Sequence, residues 1–110
     1  MTKTGTASTS NIRIYKNTSN TLVGATLIAS NTVITGTNLF SQMIRTFRIN
    51  SNLLTGYSSS TSILNDYAST SSLLSTTFTT NVDNYILFTI QLGNIADSAN
   101  VSMARLTQYK

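Results

Sequence analysis

Apolar and polar residues alternate through much of this chain, and clusters of Ser, Thr and Asn separate the alternating runs. Because successive side chains of a strand point to opposite faces, alternation predicts half-buried strands. Runs that fit this pattern are 11–16, 22–29, 39–50, 73–80, 84–92 and 101–109. The pattern therefore predicts a protein made of strands, and sustained helical periodicity is almost absent from it.

The run 84–92 has the clearest pattern, because it is apolar on both faces. One face carries Ile86, Phe88, Ile90 and Leu92, and the other carries Tyr85 and Leu87. A strand of this kind lies in the centre of a sandwich or is covered by a neighbouring subunit. In the run 22–29, Gly24 marks the expected position of a bulge.

Composition supports the same fold class. Thr, Ser and Asn number 20, 16 and 12, which is 48 of 110 residues. Thr favours strands, whereas Ser and Asn favour turns. We expect an all-β fold, an antiparallel, jelly-roll-like β-sandwich of six to eight strands. Residues 1–10 are expected to be a leader or linker, and residues 11–110 a single domain. Residues 62–67 fit either one helical turn or an irregular loop.

The residue types present leave little room for catalysis. The chain contains no His, no Cys and three acidic residues. A Ser-His-Asp triad and a His or Cys zinc site are therefore impossible, and we expect no enzyme and no cofactor. Asp97, Asn94 and Asn100 share one loop and could supply oxygen ligands to a weakly bound calcium ion. An Asx-type turn is the alternative for that loop.

Charge is sparse, at 9% of residues with a net charge of +4. Basic residues are scattered, so nucleic-acid binding is not expected. No stretch reaches the roughly 18 apolar residues of a membrane helix, so membrane insertion is not expected either. Arg45 falls in phase with the apolar residues Met43 and Phe47. A buried guanidinium needs a partner, which predicts an ion pair from Arg45 to Asp83 or Asp97.

Aromatic residues are the candidates for ligand or subunit contacts. An exposed tyrosine offers a flat, rigid surface for stacking on a sugar. The candidate residues are Tyr15, Tyr57, Tyr67 and Tyr109. The alternative role for each is cross-strand packing.

Taken together, a short Gly/Thr leader and several segments carry a resemblance to a known class of domains. The segments are NIRIY at 11–15, GATLIA at 24–29, MIRTFRI at 43–49, DNYILFTIQL at 83–92 and ADSANV at 96–101. The chain resembles the β-sandwich tip and appendage domains of tailed-phage virion proteins, such as tail fibres, spikes, head fibres and decoration proteins.

This resemblance implies a non-enzymatic structural domain located in the virion and assembled in the host cytoplasm. It implies a homo-oligomer, with a trimer favoured, that contacts other virion proteins or a host-surface glycan during attachment or particle assembly. No contact residue is shared between members of this class, so the resemblance assigns none here. The alternative function is a free-standing carbohydrate-binding module.

Overall fold

The computed structural model describes residues 2–5, 9–34, 42–56 and 74–108. The strands are β1 (Thr2–Thr4), β2 (Ser10–Asn17), β3 (Thr26–Ile34), β4 (Phe47–Asn50), β5 (Leu53–Gly56), β6 (Leu74–Thr77), β7 (Tyr85–Leu92) and β8 (Ser98–Asn100). All their pairings are antiparallel, and no helix occurs among the described residues. The predicted all-β, antiparallel class is confirmed.

The strands of the described ranges form three sheets. Two have three strands each, in the orders β3-β2-β7 and β4-β5-β6, and the third is the pair β1-β8. The hydrophobic core joins the two larger sheets, because Ile14, Ile28 and Ala29 cluster with Leu54 of β5. Partly buried residues pack around this cluster: Met43, Phe47, Leu74, Phe78 and Ile86.

Strand β2 confirms the first prediction from alternation. Ile12 and Ile14 are buried on the same face, as expected. The register between β2 and β3 shifts after Ile14. Ile14 pairs with Ala29, and the next residue of β2, Tyr15, pairs with Leu27, so Ile28 has no partner in β2. Ile28 is therefore the extra residue of a β-bulge, and both Ile28 and Ala29 are fully buried. The shift places two adjacent residues of β3 in the core.

The prediction of a strand from residue 22, with a bulge at Gly24, is wrong. Residues 18–24 form a turn, and β3 begins only at Thr26. The side chain of Asn17 donates hydrogen bonds to the carbonyl oxygens of Thr21 and Val23, at 2.7 and 3.1 Å. These bonds hold the turn, so Val23 is 83% exposed despite its apolar character.

A two-residue hairpin joins β4 to β5. Ser51 and Asn52 have φ values of 48° and 61°, the left-handed pair that a type I′ turn requires. The Asn52 side-chain oxygen also accepts hydrogen bonds from the backbone N–H and the hydroxyl of Thr80, at 3.0 and 2.7 Å. The turn therefore anchors the chain that leaves β6.

The predicted strand at 39–50 is confirmed only in its last part, as β4. Residues 42–46 belong to no sheet, although Met43, Arg45 and Phe47 keep the expected half-buried phase. Ile49 departs from that phase and is exposed. β4 lies at the edge of its sheet and pairs with β5 alone among the described strands.

The last two predicted strands have opposite outcomes. β7 agrees with the predicted run 84–92 to within one residue. The described part of the predicted strand 101–109 contains no strand, and residues 101–108 are all exposed. The predicted run 73–80 contains the shorter β6, which begins at Leu74. The question of a helical turn or a loop at 62–67 lies outside the described residues.

Residues 1–10 were expected to be a leader or linker, but they include a strand. β1 pairs with β8 in the register Thr2↔Asn100, Lys3↔Ala99 and Thr4↔Ser98. Alternation could not indicate β1, because the segment has no apolar residue between Met1 and Ala7. That residues 11–110 form a single domain stays a prediction.

Candidate functional site

Strand β7 lies at the edge of its sheet rather than at the centre. Among the described strands it pairs only with β2, which is the central strand of the order β3-β2-β7. A central position within its own sheet therefore does not explain why β7 is apolar on both faces. Tyr85 and Phe88 are both partly open to solvent, and Phe88 is 41% exposed.

A groove of about 520 Å³ runs along β7. Residues 86–89 line it consecutively, together with Leu22 from the turn after β2 and with Val101 and Ala104 after β8. Alternate residues of a strand would line a groove that covers one face. Four consecutive residues from both faces indicate that the groove follows the strand edge, where backbone N–H and C=O groups are available for pairing.

The groove is mainly apolar. Its polar lining residues are Asn20 and Thr21, which precede Leu22 in the chain, and Thr89 of β7. None of the described residues that line it is charged. Such a site fits an extended apolar segment or the face of a sugar ring, and none of the described residues that line it titrates near neutral pH.

Tyr15 is the predicted aromatic candidate that the structure describes. It is half-buried in β2, opposite Leu27 on one side and Leu87 on the other. This position fits cross-strand packing, and a ligand or interface role for Tyr15 stays a prediction. Tyr57, Tyr67 and Tyr109 lie outside the described residues.

An ion pair closes the small sheet β1-β8. Lys3 Nζ lies 2.9 Å from Asp97 Oδ2, and the two side chains are 1% and 0% exposed. Two charges removed from water need close pairing to offset their desolvation. The backbone at Gly5 completes this arrangement, since a Cβ atom there would lie 2.2 Å from Asp97 Oδ1. The pair is therefore a structural element that fastens β1.

The loop at 93–97 contains two of the three candidate calcium ligands, Asn94 and Asp97, whereas Asn100 lies at the end of β8 and so does not share the loop as expected. The side-chain oxygen of Asn94 accepts a hydrogen bond from the backbone N–H of Ala96 at 2.9 Å. This is the Asx turn that was the alternative to a calcium site. The Asp97 carboxylate faces the Lys3 ammonium. Among the described residues, no three His, Cys, Asp or Glu side chains form a group that could hold a metal ion.

Arg45 is half-buried, as its phase predicted. Its Nη1 donates a hydrogen bond to the carbonyl oxygen of Ile44 at 2.9 Å. Asp97, one of the two expected partners of Arg45, forms its ion pair with Lys3, and Asp83 is exposed. The ion pair from Arg45 to Asp83 or Asp97 stays a prediction.

Comparison with known proteins gave no match to a family model, to a curated protein sequence or to a solved structure. Within the described ranges, no helix is long and apolar enough to cross a membrane. The candidate site is therefore defined by its own geometry: an uncharged edge strand, a groove along it and an exposed segment beyond it.

Sequence reasoning missed two parts of this region. Lys3 was placed in the leader, because nothing in a sequence shows which carboxylate a lysine will meet. The groove was missed because Leu22 was expected inside a strand. The two-sided apolar character of β7 was the signal that could have found the groove, since it indicated either a central strand or a covered one.

Proposed function

We propose that this chain is a non-enzymatic structural domain of a bacteriophage particle, acting as a homo-oligomer in host-surface attachment or particle assembly. A fibre, spike or decoration protein is the proposed context, with the virion as its location and a trimer as the favoured state. Other virion proteins or a host-surface glycan are the proposed partners. No nucleic acid, membrane insertion or cofactor is part of this proposal.

One observation carries the oligomeric part of the proposal. Large apolar side chains are exposed in β7, in the turn before β3 and in the chain after β7: Leu22, Val23, Tyr85, Phe88, Ile95, Val101, Met103 and Leu106. Three of them, Leu22, Phe88 and Val101, line the same groove, and apolar surface that several segments share in this way marks interaction sites on soluble proteins. A structural domain that works inside an assembly would cover this surface with its neighbours.

For the fold, we propose a jelly-roll-like sandwich in which β3-β2-β7 and β4-β5-β6 are the two layers. The shared cluster of Ile14 and Ile28 with Leu54 supports this arrangement, because side chains of two facing sheets interdigitate in a sandwich. A packing of this type would leave the β7 edge at the side of the domain, where a neighbouring subunit can reach it.

Multi-angle light scattering of the purified full chain at micromolar concentration tests the proposal. We expect a mass of about three chains, that is, three times 11.9 kDa. A dimer would correct the proposed number of subunits. A monomer throughout the micromolar range would overturn the assembly role, because the exposed apolar surface would then have no neighbour.

A free-standing carbohydrate-binding module is a second candidate, favoured by the groove itself. Phe88 offers an exposed ring beside the polar groups of Asn20 and Thr21, a combination that suits stacking and hydrogen bonding to a sugar. A glycan array would show binding that Phe88→Ala abolishes and Ile95→Ala leaves intact, since Ile95 is exposed outside the groove. Binding by a monomer would favour this function over the structural one.

A further inference from the structure

The buried pair of Lys3 and Asp97 places an amine and a carboxyl group in direct contact, away from solvent. Lys3 Nζ lies 2.9 Å from Asp97 Oδ2, and the two side chains are 1% and 0% exposed. Because a carbon–oxygen bond of this type is about 1.2 Å long, the carboxyl carbon lies within about 4.1 Å of Nζ. The two atoms that an amide bond would join are therefore already neighbours.

The fold restricts the movement of both groups. Lys3 is the middle residue of β1 and pairs with Ala99 of β8, two residues after Asp97. Gly5 lies against the other carboxylate oxygen, Oδ1, so closely that a Cβ atom could not fit there. The carboxylate is thus held between Gly5 on one side and Nζ on the other. Well-oriented groups held in this way react with effective molarities of about 10⁵–10⁸ M.

We propose that this contact is a self-modification site, at which Lys3 and Asp97 condense to an isopeptide bond inside the folded chain. The Lys3 nitrogen attacks the Asp97 carboxyl carbon, so that the Nζ–Cγ bond forms and the Cγ–Oδ2 bond breaks. Oδ2 leaves as water with two of the three ammonium protons, and the new amide nitrogen keeps the third. The reaction changes no oxidation state and needs no other reactant.

Burial favours this condensation. Two charges removed from water lose their hydration, and conversion of the ammonium and the carboxylate into one neutral amide removes both charges. The short contact also lets an ammonium proton pass to Oδ2, which leaves a neutral amine facing a carboxyl group. Exclusion of water from the pair slows hydrolysis of the product. Since the two partners transfer their own protons, we expect the bond to form over hours to days.

The bond would connect the first and last described strands of the chain. Lys3 and Asp97 are 94 positions apart, and β1 is attached to β8 through three residue pairs. A crosslink over this span restricts the unfolded chain and keeps β1 on β8 when the N-terminal segment is pulled. This inference goes beyond the proposed role in a particle and needs no oligomer, because both residues belong to one chain.

Intact-mass spectrometry of the full chain tests the proposal. Freshly refolded wild type is incubated at neutral pH, circular dichroism verifies that it stays folded, and its mass is followed. We expect the mass to fall by that of one water molecule. The same chain kept unfolded in guanidinium chloride should retain its full mass, because the two groups are then far apart. A folded wild type that retains its full mass after several weeks would overturn the proposal.

Lys3→Arg is the matched control. Arginine keeps the positive charge and the pairing with Asp97, but its guanidinium stays protonated and does not attack a carboxyl group. We expect this variant to retain its full mass, whereas Lys16→Arg should lose water as the wild type does. A loss of water in Lys3→Arg would overturn the proposal, because Asp97 also loses water when it forms a succinimide with the backbone nitrogen of Ser98.

Tandem mass spectrometry of a tryptic digest locates the bond. Trypsin does not cleave after a modified lysine, so we expect a branched product that joins residues 1–13 to residues 49–105. The condensed chain should also unfold at a higher guanidinium concentration than the chain of full mass. Freshly refolded chains of full mass carry the ion pair alone, and their unfolding measures that pair. A water loss located at any other residues contradicts the assignment to Lys3 and Asp97.

Discussion

The two ends of the described chain differ in burial, and the difference is the opposite of what their hydropathy predicts. Residues 2–5 are polar, yet β1 is fastened to β8 and Lys3 is buried against Asp97. Residues 101–108 include the apolar residues Val101, Met103 and Leu106, yet every residue of this segment is exposed. Residues 2–5 are therefore held in place by β8 and Asp97, whereas no other described part of the chain covers residues 101–108.

This contrast shows that burial depends on the available partner as well as on the side chain. A buried ammonium is tolerated when a carboxylate at hydrogen-bond distance offsets its desolvation, and Asp97 supplies that carboxylate. Met103 has no comparable element over it within the described residues. Variants that remove the partner at one end, or the apolar character at the other, test this difference.

The largest effect is expected from Asp97→Asn, which leaves the Lys3 charge buried beside a neutral amide. Breaking a buried pair on one side costs about 3–5 kcal/mol, and we expect a loss near the lower limit because β1 can detach. Urea unfolding of wild type and variant measures it. The double variant Lys3→Met/Asp97→Leu removes both charges and should recover most of the stability. A loss below about 1 kcal/mol would show that the pair does not fasten β1.

Gly5→Ala should have the next largest effect. Gly5 has a φ of 120°, and an added Cβ would lie 2.2 Å from Asp97 Oδ1, so the side chain would strain the backbone and displace the carboxylate. We expect a loss of about 2–3 kcal/mol in the same unfolding measurement.

Gly24→Ala is the matched control for Gly5→Ala. Gly24 also has a positive φ, of 74°, but nothing lies within 4 Å of an added Cβ. We expect a loss of about 1 kcal/mol from backbone strain alone. Equal losses at the two glycines would show that contact with Asp97 adds nothing at Gly5.

Ser10→Ala tests the junction where the N-terminal segment enters β2. The Ser10 hydroxyl is fully buried and has no hydrogen-bond partner. Because an unpaired buried polar group is unfavourable, its removal should stabilise the fold by up to about 1 kcal/mol. Ser98→Ala is the control, since the exposed Ser98 hydroxyl lies 2.6 Å from the Thr4 hydroxyl and its loss should be slightly destabilising. A clear loss of stability in Ser10→Ala would mean that its hydroxyl is paired in solution.

The parts of the fold that alternation predicted well are those where a strand has a covered face. Ile12 and Ile14 mark β2, and the bounds of β7 were predicted to within one residue. Met43 and Phe47 kept their phase even though the chain before β4 is not a strand. In each case a period-two pattern meets a core, which is the condition that makes alternation informative.

The parts that could not be predicted depend on contacts distant in sequence or on local turn chemistry. The Lys3–Asp97 pair joins residues 94 positions apart. A hydrogen bond from the Asn17 side chain to the carbonyl oxygen of Val23 stabilises the turn after β2, and β3 therefore begins only at Thr26. Ser51-Asn52 forms a type I′ turn without the glycine that usually signals it. The groove could be predicted only in part: the two apolar faces of β7 indicated a covered strand, but neither the edge position of β7 nor the position of Leu22 in a turn follows from alternation.

The smallest effect on stability is expected at the exposed end. Met103→Ser with Leu106→Ser changes two exposed side chains, so the unfolding free energy of a dilute sample should shift by no more than about 0.5 kcal/mol. At higher concentration the wild-type melting temperature should rise as copies associate, whereas that of the double variant should stay constant. Thr107→Ser is the control, and it should keep the wild-type rise. A large loss in the dilute double variant would show that residues 101–108 are already covered within one chain, which would remove the contrast between the two ends.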